Sequence, residues 1–212
     1  MTHNNPLHLL ILATTWLLFG VSHSLLAGTT LDRLFGRRYS RLAFNCIAVV
    51  MTALPLAISA WLPASLLWVE PNWLRWTRYG ISLATVLAFI HTLQYYSLPG
   101  FLGLKVETWQ LTFSPWHRWV RHPWYFLSLV FIWAQPMTDT SLVSTVCITL
   151  YLILGSRIEE RRILRYHPSS YADYCRIVPS LIPWRGCALD EVTRLQLESL
   201  ALAESKNSRE HE

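Results

Sequence analysis

Residues 121–136 read RHPWYFLSLVFIWAQP, an arginine, a histidine and a proline standing at the start of an apolar run that ends on a second proline. A charge beside hydrocarbon is costly, so such a group snorkels to the headgroups, finds a partner or takes part in chemistry. The twelve residues from Trp124 to Gln135 would rise only ~18 Å as a helix, short of a ~30 Å hydrocarbon core. After MTDT (137–140) a second apolar run, SLVSTVCITLYLILG, begins at Ser141. This pattern predicts a hairpin of two shortened or tilted helices, with Asp139 and Thr140 capping the second. That second helix should continue through SRIEERRILRY past the bilayer into water, returning the chain near Arg157 to the side it left.

Working outward, the chain of 212 residues is 52% hydrophobic and only 15% charged, a balance that favours a small membrane protein over a soluble domain. Pro6–Ala27, Leu42–Pro63 and Thr77–Tyr96 are each near the ~20 residues that a crossing needs. With the hairpin, the expected fold is all-α: a polytopic membrane protein of about five transmembrane helices. The first span is not read as a cleaved signal, because MTHNN carries no basic residue and the apolar stretch is longer than a signal core.

Sixteen of the 18 Lys and Arg fall on one side of such a topology, with only Arg75 and Arg78 on the other. The positive-inside rule makes that side cytoplasmic, with the N-terminus out and the C-terminus in. The net charge of +5 is then a consequence of topology. A nucleic-acid partner is excluded on the same ground, since the tryptophans gather at predicted membrane boundaries: Trp61, Trp68, Trp73 and Trp76 outside, Trp116, Trp119 and Trp124 inside.

Three regions are expected: 1–100 with three transmembrane helices, 101–186 with the motif-bearing core, and 187–212 as a polar helix that frays into a tail peripheral to function. A turn at His167–Ser170 should precede a short helix carrying Tyr171 and Tyr174. Cys46, Cys147, Cys175 and Cys187 form no C-x-x-C pair, so neither a disulfide framework nor a metal site is read from them.

Polar residues of the first three spans share one depth. His23 and Ser24 lie near the inner end of span one, Asn45 one turn into span two, and His91 and Gln94 in the last turns of span three. Polar groups inside a membrane need partners, so the cluster suggests a cavity open to the cytoplasm. Singly, each has a plain structural reading: a core histidine bonded to a carbonyl, a snorkelling Arg121, or an i, i+3 pair between Glu159 and Arg162 on a solvated helix. Together they are less ordinary. The hairpin would bring RHPWY, the Glu159–Glu160 pair, YADY (171–174) and VPSLIPW (178–184) to one face. A histidine, two carboxylates, tyrosines and tryptophans suit a cationic nucleoside ligand, through hydrogen bonds to hydroxyls or an amine and through ring faces toward a base or a sulfonium.

As an ordered set from about Leu111 to Trp184, RHPWY, EE, YADY and VPSLIP resemble the integral-membrane methyltransferases related to isoprenylcysteine carboxyl methyltransferase and the phospholipid N-methyltransferases. FGVSHSLLAG, WAQPMT and ILGSRIEER look closer to the methanethiol S-methyltransferases and NnrU-like membrane proteins within that group. The resemblance implies S-adenosylmethionine bound at the cytoplasmic face by His122, Pro123, Tyr125, Glu159, Glu160, Tyr171, Tyr174 and Pro179, beside Arg121. His122 and Arg121 are the expected catalytic residues, a neutral histidine taking a proton and an arginine favouring a thiolate. His23, Ser24, Asn45, His91 and Gln94 are expected to face a small-molecule or lipid-like methyl acceptor. A monomer or small homo-oligomer in a bacterial inner membrane is the expected setting. Two alternatives stand beside this one: a non-catalytic NnrU-like accessory protein, and a b-type haem protein with His23 and His91 as ligands.

Overall fold

The computed structural model describes residues 5–27, 30–105 and 111–210, and these are helical with no β-strand among them. Helix α1 spans Pro6–Leu26, α2 Thr30–Trp61, α3 Asn72–Leu93 and α4 Leu98–Leu102; a 3-10 turn covers Pro115–Arg118; α5 spans Pro123–Trp133, α6 Asp139–Tyr166, α7 Ser170–Ile177 and α8 Glu191–Glu210. Two compact units result, one from the described residues of Met1–Glu107 and Val130–Tyr151, the other from those of Thr108–Leu129 and Leu152–Glu212.

In the first unit, α1 starts where the Asn5 side chain accepts from the Leu7 amide at 3.0 Å and Pro6 occupies the first helical position. Helix α2 is kinked at Gly36, whose φ of 69° suits a residue without Cβ. Leu12, Trp16 and Leu62 form a buried cluster against Phe19, Ile58, Val143, Cys147 and Ile148, and the Trp16 indole donates to Ser144 Oγ at 3.0 Å. Most other large apolar side chains of α1 and α2 face outward, among them Leu10, Leu17, Val49 and Val50. An outward apolar surface is what a lipid solvent requires.

Among the described residues, three helices are long and apolar enough to cross a membrane: Pro6–Leu26, the Tyr39–Trp61 part of α2, and Asp139–Tyr166. The expected third span, Thr77–Tyr96 with Arg78 inside it, falls in α3, which starts earlier, at Asn72, takes in Arg75 as well and ends at Leu93; α3 is not among the three. The hairpin also differs from expectation in one arm. Helix α5 is short, at 11 residues, but α6 is 28 residues long. Nor do Asp139 and Thr140 cap α6. Asp139 is its first residue, and Thr138 caps it: Thr138 Oγ1 accepts from the Ser141 amide at 3.0 Å while Ser141 Oγ accepts from the Thr138 amide at 2.7 Å, a reciprocal box with serine in place of the usual Glu or Gln. The Asp139 carboxylate accepts from the first-turn amide of Thr140 at 2.8 Å and also from the Ser65 amide at 3.1 Å, and Ser65 O accepts from the Asp139 amide at 3.1 Å, tying the turn to the α2–α3 segment.

In the second unit, Phe113, Tyr171, Tyr174, Val178, Leu189 and Leu197 form the core. The expected peripheral tail is part of it. Leu197 and Ala201 of α8 are buried, Glu198 accepts from the Phe113 amide at 2.8 Å, and Glu204 accepts from the Ser169 amide at 2.8 Å and from Ser170 Oγ at 2.6 Å. A carboxylate at the first turn of α7 satisfies orphan amides and complements the helix dipole.

Candidate functional site

Pro123 opens α5, where its missing N–H costs nothing, and Arg121 and His122 precede it in a bend outside the helix. The Arg121 amide donates to Pro179 O at 2.9 Å and the His122 amide to Ser180 O at 3.1 Å. The VPSLIP strip and the R-H-P strip are thereby laid side by side. Helix α6 then carries Glu159 and Glu160 to the same place.

Glu160 is the centre of this arrangement. Arg121 Nε and Nη2 donate to its two carboxylate oxygens at 2.9 and 3.0 Å, Ser180 Oγ donates at 2.8 Å, and His122 Nε2 lies 3.0 Å from Oε1. The remaining arginine nitrogen, Nη1, donates to Cys175 O at 3.0 Å and Val178 O at 2.6 Å. A guanidinium forked on a carboxylate is the strong form of this interaction, and at 12% and 15% side-chain exposure the pair is largely removed from water.

Glu159 is placed differently. Its side chain is 49% exposed, it accepts from the Tyr125 hydroxyl at 3.1 Å, and His122 Nδ1 is 3.5 Å from its Oε2. The rings of His122 and Tyr125 stack at 5.2 Å with a 13° interplanar angle. The His122 side chain is only 6% exposed. Assigned from its partners, the ring donates from Nε2 to Glu160 and leaves Nδ1 toward Glu159.

Tyr171 and Tyr174 lie in the apolar core of the unit. Both are buried; the Tyr174 hydroxyl donates to His117 O at 2.7 Å, and its ring packs 4.2 Å from that of Phe113. Burial holds the Tyr171 phenol far above its ordinary range, so it stays protonated. Burial likewise pushes the Cys175 thiol up to about 11, with Arg121 opposing and Glu160 adding to the rise. His117 is driven down to about 4 by burial, then by the neighbouring His122; its Nδ1 accepts from the Ser114 amide at 3.2 Å.

The five expected acceptor-facing residues belong to the first unit. Asn45 donates to Phe101 O at 2.9 Å, joining α2 to α4, and Gln94 donates to His91 O at 3.0 Å. Ser24, His91 and Gln94 are exposed. His23 is half-buried among rings. No cluster of His, Cys, Asp and Glu with metal-binding geometry occurs among the described residues.

Sequence reasoning passed over Ser180, although it stands inside the quoted VPSLIP; a serine between two apolar residues of a buried strip was the available signal. It also passed over Glu198 and Glu204, whose partners are 85 and up to 35 residues away in sequence. No local pattern announces such contacts.

No family model matches the chain, and no solved structure matches it. Curated relatives do. A methanethiol S-methyltransferase of Bradyrhizobium diazoefficiens is 28% identical over 183 residues, 79% of this chain, which spans 64% of that relative's length. Another from a Pseudomonas species is 28% identical over 201 residues, covering 85% of this chain and 75% of the relative, and one from Mycobacterium tuberculosis is 28% identical over 181 residues, covering 78% and 74%. The chain is therefore a relative, over most of its length, of the methanethiol S-methyltransferases, the group to which FGVSHSLLAG, WAQPMT and ILGSRIEER look closer.

Proposed function

We propose that this chain is an integral membrane methyltransferase that uses S-adenosylmethionine to methylate a small thiol. The observation that carries the reading is the junction of R-H-P, E-E and VPS at Glu160, joined to the names of the relatives. The residues fit the cofactor. Glu159 offers a half-exposed carboxylate, Tyr125 a hydroxyl beside it, and the stacked His122–Tyr125 pair two ring faces; together these suit a cationic nucleoside with an amine.

When bound, S-adenosylmethionine supplies an electrophilic methyl group on a sulfonium. Transfer of such a group asks the protein for alignment and exclusion of water more than for covalent chemistry. Glu159, Tyr125 and His122 would hold the cofactor directly. Arg121, whose Nε, Nη1 and Nη2 donate to Glu160 and to two carbonyls, is a positioning residue, as are Glu160, Ser180 and Pro179. Tyr171 and Tyr174 hold the floor beneath them. The setting is a bacterial inner membrane with five helical passes, the N-terminus outside and this site facing the cytoplasm, where the cofactor is made.

The test is saturable binding of S-adenosylmethionine by the detergent-purified chain, with methylation of a panel of alkanethiols, a prenylcysteine analogue and phosphatidylethanolamine. Binding weakened at least tenfold in Glu159→Gln and His122→Gln, with turnover on thiols, is expected. Absence of saturable binding by the unsubstituted chain would overturn the reading, and turnover on the prenylcysteine or lipid alone would overturn its substrate.

A further inference from the structure

Beyond the VPS strip the second unit presents two apolar side chains to its surroundings. The Gly186 amide donates to Pro183 O at 3.0 Å, closing a tight turn over Trp184 and Arg185. Ile182 and Trp184 are 65% and 69% exposed. Arg185 is held from two sides. Its Nη1 donates to Arg176 O and, at 3.0 Å, to Ile177 O, the last carbonyls of α7, and its guanidinium carbon lies 4.4 Å from the centre of the Trp184 ring. Among the described residues its Nε and Nη2 have no hydrogen-bond partner and its charge has no ion-pair partner.

The strip is fixed to one level of α6, because Ser180 Oγ donates to Glu160 at 2.8 Å. Glu160 stands three residues past Arg157, the first charged residue of α6 after Asp139, and Leu154 and Ile158 beside it are exposed. In a helix long and apolar enough to cross a membrane, this change from apolar to charged marks the level of the headgroups. Exposed Ile182 and Trp184 suit the boundary of headgroups and acyl chains, where tryptophan is enriched. A guanidinium stacked on an indole, with its Nε–Nη2 edge left over, matches two oxygens of a phosphate in forked geometry. Free phosphate would leave the flanking apolar side chains in water, whereas a phospholipid covers them. We propose that 182–185 is a docking site for the bilayer: Ile182 and Trp184 enter the headgroup layer, and the Nε–Nη2 edge of Arg185 holds the phosphate of a phospholipid. The site goes beyond the proposed function and uses neither the cofactor nor the methyl acceptor.

The test places a nitroxide on Ile182→Cys in the full chain, its own four cysteines replaced by alanine, in nanodiscs of phosphatidylethanolamine and phosphatidylglycerol. Depth is read from collisions with oxygen against those with a water-soluble nickel chelate. The label is expected about 5–10 Å inside the boundary of headgroups and acyl chains. In nanodiscs of digalactosyldiacylglycerol, a bilayer lipid without phosphate, it should move outward by about 5 Å, and added inorganic phosphate should not bring it back. A label on the native Cys187, which is exposed, should shift outward in the same way with the 182–185 turn unsubstituted. A label at 182 that meets the nickel chelate as freely as one in water would overturn the docking site. Equal depths in the two lipids would remove the phosphate contact, and recovery on adding inorganic phosphate would remove the lipid as its source.

Discussion

Glu159 and Glu160 are neighbours in sequence with different work to do. Glu160 receives Arg121, His122 and Ser180 at 15% exposure, whereas Glu159 meets Tyr125 at 49% exposure. Removing one partner of a buried pair leaves the other charge uncompensated, at a cost of about 3–5 kcal/mol. Glu160→Ala should therefore lower the thermal midpoint of the detergent-solubilised chain by many degrees, while Glu159→Ala shifts stability by less than about 1 kcal/mol and acts on cofactor affinity. Equal midpoints for the two variants would contradict this division. His117 adds a pH dependence. Its folded value is lowered from 6.5 to about 4, so below pH 6.5 the unfolded chain takes up a proton that the folded chain refuses. Stability is full above that value and declines as pH falls toward 4, by about 1.4 kcal/mol for each unit of depression. His117→Gln should flatten the profile of melting midpoint between pH 6.5 and 5, a window above the range in which carboxylates titrate.

At the scale of elements, the hairpin turn and the α7–α8 pair each depend on a cap. Thr138→Ala removes the acceptor for the Ser141 amide and should cost about 1 kcal/mol, read as a lower unfolding midpoint with unchanged cofactor affinity. Glu204→Ala strips the acceptor from the start of α7; hydrogen exchange should quicken over Ser170–Ile177 and not over α1. Unchanged protection there would show α8 to be dispensable. The sequence pattern did show that α7 exists, since Tyr171 and Tyr174 at i, i+3 share a face. It did not show that α8 closes that face, because α8 is polar overall and its few buried residues, such as Leu197 and Ala201, make a narrow stripe.

For the whole molecule, the proposed cytoplasmic placement of the second unit rests on the Lys and Arg count and is open to a direct check. Cys187 is exposed, whereas burial raises the Cys175 thiol to about 11 and keeps it unreactive near neutral pH. A membrane-impermeant maleimide should label Cys187 in inside-out vesicles and not in intact cells, the other three cysteines being replaced by serine or alanine. Labelling from outside would reverse the topology.

The helical class, the segments long and apolar enough to cross a membrane and the ordered motifs were legible in the chain itself, because hydrocarbon admits only a backbone that bonds to itself and because the motifs are contiguous runs of sequence. The short α5 was legible too, bounded by two prolines. What only the tertiary structure decided was the division of labour within the motifs: that Glu160 is consumed by Arg121 and Ser180, that Tyr171 and Tyr174 are core, that α8 completes the second unit, and that Thr138 rather than Asp139 caps α6. Each depends on which donor reaches which acceptor. Spacing along a helix gives the face a residue occupies, but partners tens of residues away are chosen only when the chain folds and buried polar groups must be satisfied together.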